Sequence, residues 1–392
     1  MSRLPCLFAC AILMVAQSAS VETAWDLVAK GRRTEAVAVL RQILKDTPQN
    51  GEAHLLLGSI SSESGNHQDA IRELTEATRL MPRYAMAHNA LGEAFNAAGQ
   101  TGPARAAFEK AVALDANFAQ AHENLGRVLL DSNYFAPAAD HLDRAIALFR
   151  DSPDAAYSLY LRAKIHTERD EPQKALAALK RAVSLQPNFP EAWSDLGQVS
   201  KGLLDDAGAL VAFQRSVQLD PENAISQYRL GAEYLRQGKP HQAVPHLQES
   251  FRLNPKNQST LYSLQLALRQ DGQVQEAAQV KKQLAELLRD IDKESQNAFA
   301  ALRLNNEGAA LEKAGDLSGA LEKYGKASSL DPNHTGIRLN FGVALLRTGR
   351  WAEGLAELRE VLRREPGNVK AQAALKDALE QAPAEFGGKG KK

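Results

Sequence analysis

Residues 187–220 read PNFPEAWSDLGQVSKGLLDDAGALVAFQRSVQLD, and residues 221–254 read PENAISQYRLGAEYLRQGKPHQAVPHLQESFRLN. Each block opens on proline, Pro187 and then Pro221, and Pro255 opens a third block after another 34 residues. The punctuation inside the blocks repeats. Leu196-Gly197, Ala209 and Phe213 in the first correspond to Leu230-Gly231, Ala243 and Leu247 in the second. The glycine and the alanine are small enough for two helices to approach closely. The large residue four after the alanine fills the gap that remains. The proline cannot continue a helix and moves its predecessor out of the α region. A fixed period between twenty and fifty residues is the mark of a stacked repeat array, in which each unit buries its apolar face only against its neighbours.

The same positions recur outward in both directions. Leu57-Gly58, Ala70 and Leu74 lead to Pro82, Leu91-Gly92, Ala104 and Phe108 follow, and then Leu125-Gly126, Ala138 and Leu142. Beyond Pro255 the pattern returns in Gly308, Ala320, Tyr324 and Pro332, and again in Phe341-Gly342, Leu358 and Pro366, with Gly354 in place of the alanine. This array resembles the tetratricopeptide-repeat (TPR) family over roughly residues 21–381. The resemblance implies an all-α fold: a right-handed superhelical solenoid of stacked antiparallel helix pairs with a C-terminal capping helix. It also implies that first helices line a concave groove and second helices form the outer face. The expected cap is the amphipathic segment Val369 to Gln381.

Two slips break the period. Pro82 and Pro153 lie 71 residues apart, three more than two periods, and the extra residues around Phe149-Arg150-Asp151 are expected to lengthen a helix by almost a turn. Pro255 and Pro332 lie 77 residues apart, nine more than two periods. That excess is expected as an extended or bent helical joint at 292–300, between a first lobe at 21–291 (about eight repeats, the first partial) and a second at 301–381 (two repeats plus the cap).

The ends differ in kind. Arg3, the apolar run Leu7 to Ala16 and the small residues Ser18-Ala19-Ser20 read as a signal peptide over 1–20, cleaved after Ser20 or Ser18. Leu7-Phe8-Ala9-Cys10 resembles a lipobox, but its cysteine comes before the apolar run ends. Both cysteines, Cys6 and Cys10, fall in this leader, so the mature chain is expected to carry no thiol and to be exported, periplasmic or secreted. No transmembrane span is expected after leader cleavage. Residues 382–392, with Gly387-Gly388, read as a disordered tail. Lys plus Arg equals Asp plus Glu at 47 each, so no net field favours nucleic acid.

His54, His88 and His122 recur every 34 residues, but equivalent residues of stacked units stand about one helix-packing distance apart, too far to share an ion. They occupy the family's Trp position, held by Trp193 later, and are expected to pack between helices. His241 and His246 are expected at the surface. No nucleophile elbow, phosphate loop or zinc motif is present, and neither enzyme activity, metal nor cofactor is expected. The family's groove positions carry Tyr157, Tyr160, Lys164, Gln198, Tyr228, Arg229, Tyr262 and Arg269. Tyr and Arg give large, partly polar contact area. These eight are the candidate ligand-binding residues, against the alternative that the tyrosines pad between helices. The family's Lys/Asn/Arg carboxylate clamp cannot be assembled here. Its asparagine ladder survives only at Asn124, Asn306 and Asn340. The expected function is an exported adaptor that takes an extended peptide or a partner helix in its groove. The alternative is a scaffold for envelope polysaccharide synthesis or export that touches glycan directly.

Overall fold

The computed structural model describes residues 20–382, and the leader and the tail lie outside the described residues. Among the described residues there are twenty α-helices and no strand. In order they are α1 (Val21–Ala29), α2 (Arg33–Asp46), α3 (Gly51–Glu63), α4 (His67–Leu80), α5 (Ala85–Ala97), α6 (Thr101–Leu114) and α7 (Ala119–Asp131). Then come α8 (Phe135–Phe149), α9 (Ala155–Glu168), α10 (Pro172–Leu185), α11 (Pro190–Gly202), α12 (Asp206–Leu219) and α13 (Ala224–Arg236). A second compact unit begins at Lys239 and holds α14 (Pro240–Leu253), α15 (Gln258–Gln270), α16 (Val274–Lys313), α17 (Leu317–Leu330), α18 (Thr335–Arg347), α19 (Trp351–Arg364) and α20 (Val369–Gln381). Within each unit, successive helices pack as antiparallel pairs that stack on the next pair.

The small-to-large pairing read from the sequence is what seats one helix on the other. A Cβ added at Gly92 would lie 2.6 Å from the Phe108 ring, and one at Gly197 equally close to Phe213. Phe108, Phe213, Leu74 and Leu142 are buried, as are Ala70, Ala104, Ala138 and Ala209 one turn earlier on their helices. Helix starts are fixed by Asn side chains: Asn223 Oδ1 accepts from the Ile225 and Ser226 amides, and Asn257 Oδ1 from that of Thr260.

The turn inside each pair needs one left-handed residue, and these residues mark the register. They fall at Gly31, Gly65, Gly99, Asn133, Asp170, Leu204, Gly238, Gly272, Gly315 and Gly349. Every interval is 34 except for 37 before Asp170 and 43 before Gly315, the same excesses of three and nine read from the prolines. Leu204 is the anomaly, with φ 64° and its side chain 84% exposed. A side chain in this region costs about 1 kcal/mol and here gains nothing from burial. Leu204→Gly is therefore expected to raise stability by about 1 kcal/mol in urea unfolding.

The three-residue slip is placed differently from the expectation. α8 has 15 residues, one more than its counterparts α6 and α10, so the helix does not gain most of a turn. The excess goes chiefly into the connection, where Arg150 sits at φ 58° and ends the helix. The nine-residue slip is absorbed inside α16, which runs unbroken for 40 residues, about 60 Å at 1.5 Å per residue. No Gly or Pro occurs from Gln273 to Glu307, so nothing in the sequence ends the helix, and 292–300 lies within it.

Candidate binding groove

Seven first-helix side chains share one task. His54, His88, Trp193, Gln227, Arg338 and Gln372 each place a side-chain nitrogen on the carbonyl of the proline six residues earlier, and His122 does the same to Ala116. The position therefore requires an N–H that reaches back over the helix start, which His, Trp, Gln and Arg all supply. Among the described residues no group of three or more His, Cys, Asp or Glu is placed to hold a metal. Contrary to expectation, His246 is half-buried, while His241 stands in solvent.

His122 has a second partner, the Nδ1 of His141 at 3.0 Å, with the rings 5.2 Å apart. Since His122 Nε2 faces the Ala116 carbonyl, the pair is complete with both rings neutral and His141 donating. Burial holds both pKa values below 6.5, and the neighbouring ring adds to this for His122. Between that depressed value and the ordinary 6.5 the unfolded chain binds more protons, so stability falls as pH drops below about 6.5. Thermal unfolding is expected to show a lower melting temperature at pH 5.5 than at 7.5, and His141→Gln a shallower dependence.

A second feature joins neighbouring first helices. Asn124 donates to Asn89 Oδ1 at 3.1 Å and to Glu93 Oε1 at 2.9 Å, and Ser158 donates to Glu123 Oε2 at 2.6 Å. Arg229 donates to Ser194 Oγ at 2.7 Å, and Asn340 to Asn305 Oδ1 at 2.9 Å. Each of these links spans about one repeat. Burial pushes the Glu123 carboxyl above its ordinary value, and hydrogen bonds from Ser158 and Gln120 oppose that shift. Asn124 and Asn340 thus serve as rungs between helices.

The candidate residues of the first unit stand on three adjacent first helices. Tyr157 and Tyr160 of α9 stack with ring centroids 6.2 Å apart, and Phe189 closes the cluster at 5.1 Å from Tyr160. Tyr157 is 38% exposed, so one ring edge faces outward. Burial first, and the Asp195 carboxylate second, push the Tyr160 hydroxyl well above its ordinary pKa. The Lys164 ammonium lies 5.8 Å from the centre of the Tyr160 ring, within cation–π reach. Arg229 reaches from α13 to α11 and holds Asp195 at 2.8 Å. Lys164, Thr167, Glu168, Asp195, Gln198 and Arg229 line a pocket of about 220 Å³. That is smaller than the roughly 300–1,000 Å³ of small-molecule sites and is the size of an inserted side chain.

The eight candidates are thus distributed unevenly. Lys164, Gln198 and Arg229 meet at one pocket, and Tyr157 and Tyr160 form its aromatic flank. Tyr228 is half-buried beside Arg229 on α13 and does not line the pocket. Tyr262 and Arg269 stand exposed on α15 in the second unit. Phe189 and Asp195 were missed as site residues. Phe189 precedes its helix, and Asp195 read only as a break in the asparagine ladder.

A stack of helix pairs joined by side-chain rungs, with an open first-helix face, is a repeat scaffold suited to protein–protein interaction. Two family models, both described as tetratricopeptide repeat, match residues 27–94 and 311–379, and residues 123–192, 160–224 and 228–287. The chain belongs to the tetratricopeptide-repeat family, whose members are in general non-catalytic scaffolds. Among solved structures, Pseudomonas aeruginosa pilF is 20% identical with a TM-score of 0.50, covering 54% of this chain and 94% of that one. YrrB, described as a TPR protein with an unusual peptide-binding site, is 23% identical with a TM-score of 0.41, covering 48% of this chain and 96% of its own. The C-terminal part of a TPR repeat-containing protein from Cytophaga hutchinsonii is 14% identical with a TM-score of 0.47, covering 62% and 99%. No curated protein matches the chain.

Proposed function

We propose that the protein is an exported adaptor that binds an extended peptide segment of a partner protein along α9, α11 and α13. One observation carries the reading: the stacked Tyr157–Tyr160 pair borders a side-chain-sized pocket whose Arg229–Asp195 ion pair is already formed. A preformed aromatic anchor beside a polar pocket loses little conformational entropy on binding. Lys164 has no ion-pair partner among the described residues and is free to meet a carboxylate or carbonyl of the ligand. Export rests on the leader of Arg3, Leu7 to Ala16 and Ser18-Ala19-Ser20. Among the described residues no helix is long and apolar enough to cross a membrane.

The test is a screen of the protein against an immobilised peptide library, followed by titration of a selected peptide. Tyr157→Ala with Tyr160→Ala is expected to weaken binding by about 2 kcal/mol, roughly thirtyfold, with the helical circular-dichroism signal unchanged. Unchanged affinity would remove this surface from consideration. Retention on a glycan array without peptide binding would favour direct contact with polysaccharide instead.

A further inference from the structure

Along residues 281–296 of α16 no side chain is buried, and only Leu284 and Leu287 are even partly covered. Leu288 and Ile291 are 46% and 38% exposed, and Leu302 further along is 43% exposed. In a regular unit the next first helix folds back and covers this part of the second helix. Here α16 runs straight on, so the cover is missing. At 100° per residue, Leu284, Leu287, Leu288 and Ile291 fall within a sector about 100° wide, the width of a core-facing stripe.

The charges say what fits there. The stretch begins with Lys281 and Lys282 and ends with Asp290, Asp292 and Glu294. A second copy laid parallel would set like charges together, and one laid antiparallel sets the basic end against the acidic end. With a two-fold axis between Glu286 and Leu287, Leu284 lies beside Ile291 of the second copy and Leu288 over its Ala285. At the rim Lys281 faces Asp292 of the second copy, and Gln283 faces its Asp290. Within the chain Lys281 makes no ion pair among the described residues, and Asp292 only accepts from Gln296.

We propose that residues 281–296 of α16 are a self-association surface on which two copies of this chain pair antiparallel, with Lys281 and Asp292 as reciprocal rim contacts. The stripe is short, so the pairing is weaker than that of an obligate dimer, which buries upwards of about 2,000 Å². Sedimentation velocity of the full chain over a concentration series is the test. A monomer–dimer equilibrium is expected, abolished by Leu284→Glu with Ile291→Glu while the circular-dichroism signal is kept. Lys281→Asp and Asp292→Lys are each expected to weaken it by about tenfold, and the double exchange to restore it. A wild-type chain that stays monomeric at every concentration overturns the proposal. A double exchange no better than the single ones overturns it too. So does a Lys281→Cys variant that forms a disulfide with its own copy, because that reports a parallel pair.

Discussion

Phe213→Ala is expected to lower the stability of the first unit by about 4 kcal/mol, the cost of emptying an aromatic site that cannot collapse. The ring is 1% exposed and rests against Gly197, where even one added carbon would lie 2.6 Å from it. The backbones of α11 and α12 are held apart at the distance the ring sets, so removing it leaves a void. Because each pair is stabilised chiefly by its neighbours, the damage should stay local. Hydrogen exchange is expected to show α11 and α12 losing protection first, with α18 and α19 unaffected. A change below about 1 kcal/mol in urea unfolding would mean that the helices close over the gap.

The corresponding site of the second unit carries Tyr324, 1% exposed, whose ring would lie 2.9 Å from a Cβ at Gly308. Its hydroxyl donates to Glu312 Oε2 at 2.8 Å, and the same carboxylate pairs with Arg347 of α18. One side chain therefore ties α17, α16 and α18 together. Tyr324→Ala is expected to cost about 4 kcal/mol, like its counterpart. Tyr324→Phe keeps the packing and loses one hydrogen bond from a phenol to a carboxylate that retains Arg347. It is expected to cost about 1 kcal/mol. Equal losses for the two variants would show that the network, not the ring, supports the unit.

The array was legible because its rules are local. Proline spacing, the Leu-Gly pairs and the alanine with a large residue four positions on are all statements about one helix pair. They suffice to place the cap, Val369–Gln381, and to count the two slips. What escaped reading depends on a neighbour. The rungs at Asn89, Glu123 and Ser194 are ordinary polar residues until the next first helix brings Asn124, Ser158 and Arg229 to them. The seven donors that reach back to a carbonyl escaped for another reason. His, Trp, Gln and Arg share no property in a substitution pattern, only an N–H at the same reach. The candidate site divides in the same way. Tyr157, Lys164 and Arg229 could be placed on groove positions from register alone, whereas Phe189 and Asp195 enter only through their contacts.

The unbroken α16 also fixes a direction of travel. In a regular array all first helices run one way and all second helices the other, because the chain reverses at every junction. α16 begins as the second helix of one pair and ends as the first helix of the next with no reversal between them. First helices beyond it therefore point opposite to α15. An extended ligand lying along α15 would meet the α18 surface in the reverse polarity, so no single peptide could be read in one sense by both.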